Sequence, residues 1–193
     1  MAKDVAAQTQ KMWNAANGKV TIDGVKYNVK FDIKGEYRDV SKSIDFLPGA
    51  PKVAGEILTN KDIRKNFYRV ESTSKGSETT TDVGGNSSFF FGANTGYISS
   101  EQNARTGGTT VPHEMGHGWG AGHLKYDGKT KNMMNTERQL GSGAKDRKVT
   151  QSDIDDLGLE NLNFDENGKA DVGSKTNMYY DKSLEKGYVM PQN

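Results

Sequence analysis

The stretch "HEMGHGWGAGH", His113 to His123, contains all three histidines of a 193-residue chain, with a glutamate and four glycines between them. His113 and His117 stand four apart, so a helix there sets both imidazoles on one face, one turn from each other. Thr110 can cap such a helix, and Pro112 suits its first turn, where a missing N–H costs little. Gly120 follows three residues after His117, where the helix must stop and the chain reverse for His123 to reach the same point. Three neutral imidazoles with a fourth position left to water form the ligand set of a catalytic zinc, not of a closed structural site. Glu114 adjoins the first ligand and is placed to take a proton from that water. Three histidines scattered at random over this length fall into the same spacing in about one placement in 6,000.

The rest of the composition narrows the choices. There is no cysteine, so disulfides, thiolate nucleophiles and thiolate metal sites are excluded and any metal rests on histidine and carboxylate. Lys and Arg number 26 against 25 Asp and Glu, spread along the chain rather than gathered in a stripe, which argues against a nucleic-acid partner. No apolar run approaches the roughly 20 residues of a membrane helix. The start "MAKDVAAQTQKMWNAANGK" lacks the apolar centre of a signal peptide, so the chain is expected either to be intracellular or to have lost a leader. A hydrophobic share of 33%, 23 glycines and a mean hydropathy of −0.82 predict one domain with a modest core and much loop.

Along the chain, residues 3 to 17 predict a helix with Gly18 as its C-cap. "KVTIDGVKYNVKFDIKGEYR" alternates with Val25, Tyr27, Val29, Phe31 and Ile33 on one face after an Asp23–Gly24 turn, a β-hairpin with one long strand. Pro48, Gly49 and Pro51 mark a loop, Asn60 opens a short helix, and "NFYRVES" reads as a strand region. Ser72 to Ser88 is a polar loop. "FFFGANTGYIS" then carries two short strands about a turn at Asn94-Thr95-Gly96. In "VTQSDIDDLGL", Thr150 caps a late helix, Asp153 completes its capping box, and Ile154 and Leu157 face inward. "DENGKAD", Asp165 to Asp171, is a surface turn without the spacing of a calcium loop. The tail from Asn163 wraps the surface or frays.

His113, Glu114, His117, Gly120 and His123 complete HExxHxxGxxH, and the chain in this respect resembles the metzincin clan of zinc metallopeptidases, whose signature is closed by a downstream methionine turn. "KNMMNTER" supplies that turn, with Met134 preferred over Met133 as the methionine beneath the metal. "VTQSDI" is similar to the start of the C-terminal helix in matrixin-like members. The resemblance spans roughly Phe89 to Leu159. It implies an α+β, metzincin-like zincin fold: an upper subdomain, 1–119, with a twisted mixed sheet and the active-site helix, and a small irregular lower subdomain, 120–193, with a C-terminal helix. Together these form one metallopeptidase domain over 1–193.

It further implies a zinc-dependent metalloendopeptidase in which His113, His117 and His123 hold Zn2+ and Glu114 is catalytic. The partner is a protein or peptide substrate laid along the edge strand in "FFFGANTGYIS". Residues 135 to 149 would line the pocket for the side chain after the scissile bond. The leaderless, Gly/Asn/Thr/Lys-rich start is also similar to zincin toxin domains of large bacterial toxins. That likeness implies a monomer secreted or delivered into a target cell, with an inhibitor or immunity protein as a further partner. The alternative is a non-proteolytic zinc-stabilised module that binds a peptide or protein. Three features depart from the clan. Thr136 stands where astacin-like and serralysin-like members have a tyrosine ligand. The propeptide cysteine of matrixins has no counterpart. The first element is a helix where a strand is usual.

Overall fold

The computed structural model describes residues 2–37, 59–71, 94–173, 178–181 and 186–189. The amphipathic start forms α1 (Ala2–Asn14), which buries Ala6, Thr9 and Trp13. The residue that takes positive φ after it is Asn17 (φ 49°), not Gly18. Gly18 is demanded by packing instead, since a Cβ there would lie 2.7 Å from Ile154 Cγ1.

Asp23 and Gly24 both have positive φ, 50° and 78°, and make the two-residue turn between β1 (Lys19–Ile22) and β2 (Val25–Asn28). The ladder is shorter than the alternation predicts. Val29 N–H still donates to Gly18 O, and beyond it the backbone bonds to α1: Asn14 Oδ1 accepts from Phe31 N, Asn14 Nδ2 donates to Phe31 O, and Gln10 Oε1 accepts from Ile33 N. Side-chain amides thus stand in for a neighbouring strand, and they carry Phe31 into the core while Val25 and Tyr27 stay about half exposed.

β3 (Phe67–Glu71) pairs in parallel with β4 (Thr95–Ser99), Phe67 opposite Thr95. The hairpin turn expected at Asn94-Thr95-Gly96 is therefore absent. Thr95 and Gly96 are strand, and buried Asn94 starts the ladder, accepting from Phe67 N and donating its Nδ2 to Lys65 O. No helix opens at Asn60 either. The side chains of Asn60 and Asp62 accept from the N–H of Asp62 and Arg64, the local bonding by which these residues compete with a helix. The predicted loops at 39–58 and 72–88 and the run Phe89–Phe91 lie outside the described residues.

β4 runs into α2 (Ser100–Arg105), then α3 (Thr110–Gly118), which packs against both. After a turn-rich run come α4 (Glu137–Leu140), a 3-10 stretch over Gly141–Asp146 and α5 (Gln151–Asp155), whose Asp153 accepts from the Thr150 N–H at the start of the helix as expected. Val172 packs on the core, a Cβ at Gly173 would collide with Ile63 O, and β5 (Met178–Asp181) and β6 (Lys186–Val189) form an antiparallel hairpin. Asp165 Oδ1 accepts from the N–H of Asn167 and Lys169, so "DENGKAD" is the surface turn that was expected.

The described molecule is thus mixed helix and small sheet, and among the described residues strands pair only two by two. The core lies directly behind α3. Trp13 meets Phe31 and Trp119 edge-on at 5.3 and 5.0 Å between ring centroids, Phe31 stacks on Trp119 at 4.9 Å, and Trp13 Nε1 donates to Pro112 O at 3.1 Å. This cluster fixes one face of α3 against α1. Among the described residues no helix is long and apolar enough to cross a membrane.

Candidate metal centre

Helix α3 carries the first two histidines, and its ends are held without the threonine cap the sequence suggests. Thr110 is the first helical residue, hydroxyl-bonded to Thr106, while Val111 N–H is taken by Asn103 Oδ1 and Pro112 occupies the first turn. The C-terminal end follows the sequence reading. Gly120 has φ 107°, its N–H donates to His117 O, and Ala121 N–H donates to Gly116 O, the paired bonds of a Schellman closure. Nothing lies within 4 Å of where a Gly120 Cβ would be, so backbone conformation alone requires glycine there.

That closure aims the second histidine. It brings Ala121 O to 2.8 Å from His117 Nδ1, and Met133 O lies 2.7 Å from His113 Nδ1. A carbonyl only accepts, so in both rings the proton sits on Nδ1 and Nε2 keeps its lone pair for a metal, the outer-shell arrangement found behind metal-binding histidines. His123 is exposed, but both chain neighbours are pinned: Gly122 N–H donates to Asp156 Oδ2 at 2.6 Å and Leu124 N–H to Met134 O at 3.0 Å. His117 Nε2 and His123 Nε2 stand 3.0 Å apart, and one ligand nitrogen from each of the three rings lies within 4.8 Å of the others. Zn–N bonds of about 2.0–2.1 Å in a tetrahedron set nitrogens about 3.3 Å apart, so the three histidines are close enough to bind one metal ion.

The electrostatics agree with that role. Burial lowers the pKa of all three imidazoles, taking His117 down to about 4, and the positive charge of Arg147 pushes each the same way. The rings are therefore neutral and ready as ligands at pH 7. Glu114 is buried on the same helix, 7% exposed, and its charge reaches Tyr68 on β3 and Arg147. Burial, reinforced by Glu114, raises the pKa of the Tyr68 phenol.

The methionine pair is fully buried. Met134 is the one against the helix, because a Cβ on Gly116 would collide with its sulfur. Gly116 thus lets the thioether sit beneath the turn that joins His113 to His117. Asp153 holds this turn in place, its carboxylate accepting from Met133 N, Met134 N, Thr150 N and Thr150 Oγ1. Asn135 closes the turn with Oδ1 on Asn132 N and Nδ2 on Leu124 O. Thr136 does not face a metal, being engaged in a reciprocal capping box with Gln139 at the start of α4.

The structure adds residues the sequence reading did not single out. The capping-box reading of Asp153 explains its bonds to Thr150 and gives no sign of the two to the methionines. Tyr68 Oη and Arg147 Nε are buried polar atoms without a hydrogen-bond partner, and nothing in their local sequence marks them. Leaving such a donor unpaired costs about 1–3 kcal/mol, so both call for an explanation. Comparison of the chain with protein-family models, with curated proteins and with solved structures finds no match.

Proposed function

We propose that the protein is a zinc-dependent metalloendopeptidase. The observation that carries this reading is the convergence of His113, His117 and His123 with Glu114 buried on the same helix. A divalent ion with three imidazole ligands and an open position acts as a Lewis acid that brings the pKa of a coordinated water to about 7. The chain's own residues supply the remainder. Met133 O and Ala121 O hold the imidazoles in the tautomer that presents Nε2. The Glu114 carboxylate accepts a proton from the attacking water and returns it to the amine that leaves when the peptide C–N bond breaks. The exposed side of the cluster, at His123, is where a substrate enters.

The test is Glu114→Gln. Wild-type protein is expected to bind about one zinc per chain and to cut peptides from a mixed library, with cutting abolished by a chelator. The variant should keep its zinc and lose about 100-fold or more in kcat/KM. Zinc retained with no cutting by the wild type would favour a peptide- or protein-binding module instead. Absence of zinc from both proteins would remove the metal reading altogether.

A further inference from the structure

His123 is held differently from the other two histidines. The Nδ1 atoms of His113 and His117 face backbone carbonyls, which fix both rings. His123 is exposed and, among the described residues, no carbonyl meets its ring, so its reach toward the point shared by the three imidazoles depends on its backbone. That backbone is a pliant stretch in which Gly120 and Gly122 flank a single alanine. Ala121 is fixed by complete burial and by its N–H on Gly116 O, and Leu124 by its N–H on Met134 O. Between these two anchors the tether is the bond from Gly122 N–H to Asp156 Oδ2, at 2.6 Å.

Asp156 stands at the end of α5, where its own N–H donates to Ser152 O. It follows Asp153 by three residues, so the two carboxylates leave the helix on the same side. Asp153 accepts from Met133 N and Met134 N, and Asp156 accepts from Gly122 N. The helix is itself pinned by Ile154, 2% exposed and packed tightly on Gly18. One short helix thus ties both the methionine turn and the loop carrying His123 to the core. The Asp156 carboxylate is not among the groups that converge with the three histidines, so it touches the centre only through Gly122. A backbone N–H given to a carboxylate is a charge-assisted bond, roughly twice as strong as a neutral one.

We infer that Asp156 is a positioning residue for the metal centre: by holding Gly122 it sets His123 where its imidazole can join those of His113 and His117 on one ion. The inference rests on the reading of the three histidines as metal ligands. With the bond in place the loop is ordered before an ion arrives. Without it the Gly122 dihedrals are released, and ordering them at the moment of binding weakens the site.

Zinc affinity is measured by competition with a chromophoric chelator for the wild type, Asp156→Ala, His123→Ala and the double variant, alongside the visible absorption of the cobalt(II)-loaded proteins. Urea unfolding of the metal-free proteins checks that each is folded. Asp156→Ala should lower zinc affinity by about tenfold or more, as loss of an outer partner of a metal ligand does, and should change the cobalt bands. On the His123→Ala background the same change should cost less than about twofold, because nothing is left to position. Asp156→Asn keeps a side-chain oxygen for the Gly122 N–H and should recover most of the affinity. Should Asp156→Ala fail to fold, Asp156→Ser, whose oxygen ends one bond short of Gly122, is read in its place. Wild-type affinity in the Asp156 variant, or an equal fall on both backgrounds, overturns the inference while leaving the metal centre standing. If the wild type binds no zinc, the metal reading fails and takes this inference with it.

Discussion

The hairpin at 19–28 and the turn-rich run from 121 to 157 are opposites in how sequence relates to burial. The hairpin has the cleaner pattern, with strict alternation and an Asp-Gly turn, yet Val25 and Tyr27 are 53% and 49% exposed. The run has little regular structure, yet Met133, Met134, Asn135 and Asp153 are all fully buried. The difference lies in where backbone N–H groups find partners. In the hairpin they pair with each other and ask nothing of the interior. In the run they are satisfied by buried side chains, Asp153 and Asn135 above all, so an irregular segment can enter the core without stranding its polar groups.

The largest way to break this contrast is Asp153→Ala. It strips four hydrogen bonds and leaves the N–H groups of Met133 and Met134 buried. A loss of about 3–5 kcal/mol in urea unfolding, with weaker zinc binding, is expected. A loss below about 1 kcal/mol would mean the run is held by apolar contacts alone.

Acid should act next. The His117 pKa is depressed to about 4 from 6.5, so between those values the unfolded chain binds the extra proton. Stability conferred by the neutral ring is complete above pH 6.5 and is lost as pH falls toward 4. For chelator-treated protein the fall amounts to about 3 kcal/mol from this ring. Asp153, raised by burial, works in the opposite sense near pH 4, so the decline is read between pH 6.5 and about 5. A stability curve that is flat over that range contradicts the burial of the imidazoles.

Gly116→Ala sharpens the contrast by testing the methionine floor. The new methyl must displace Met134 or Trp13, whose Cζ2 would be 3.0 Å away, at about 1–3 kcal/mol. Zinc affinity should fall with it, since His113 and His117 flank that turn. Gly120→Ala meets no neighbour, and its expected cost of about 1–2 kcal/mol comes from the positive φ alone. The smallest effect belongs to the hairpin. Val25→Thr should stay within about 0.5 kcal/mol, and a larger loss would show that the exposed face is covered in solution.

Much of the candidate centre was legible in advance because it is local. His113, Glu114 and His117 share a helix face, and Gly120 reverses the chain within three residues, so spacing and one backbone conformation are enough to bring His123 round. Met134 packs against Gly116 of the same helix. The early end of the second strand was not legible. Its alternation says only that one face is apolar, and the amides of Asn14 and Gln10, which replace the missing ladder, come from a helix earlier in the chain. The parallel pairing of β3 with β4 escaped for the same reason, since partners 28 residues apart, Phe67 and Thr95, leave no periodic trace.

The sequence by itself determined the convergence of the three histidines and the glycine reversal that brings the third one round, because both depend on interactions within a few residues. Only the tertiary structure decided that Asp153 clamps the methionine turn, that Met133 O and Ala121 O orient the imidazoles, and that Arg147 Nε and Tyr68 Oη are buried without a hydrogen-bond partner. Those contacts depend on which segments the hydrophobic core presses together. Burial then turns an ordinary Asp, Arg or Tyr into a group whose hydrogen bonds must be accounted for.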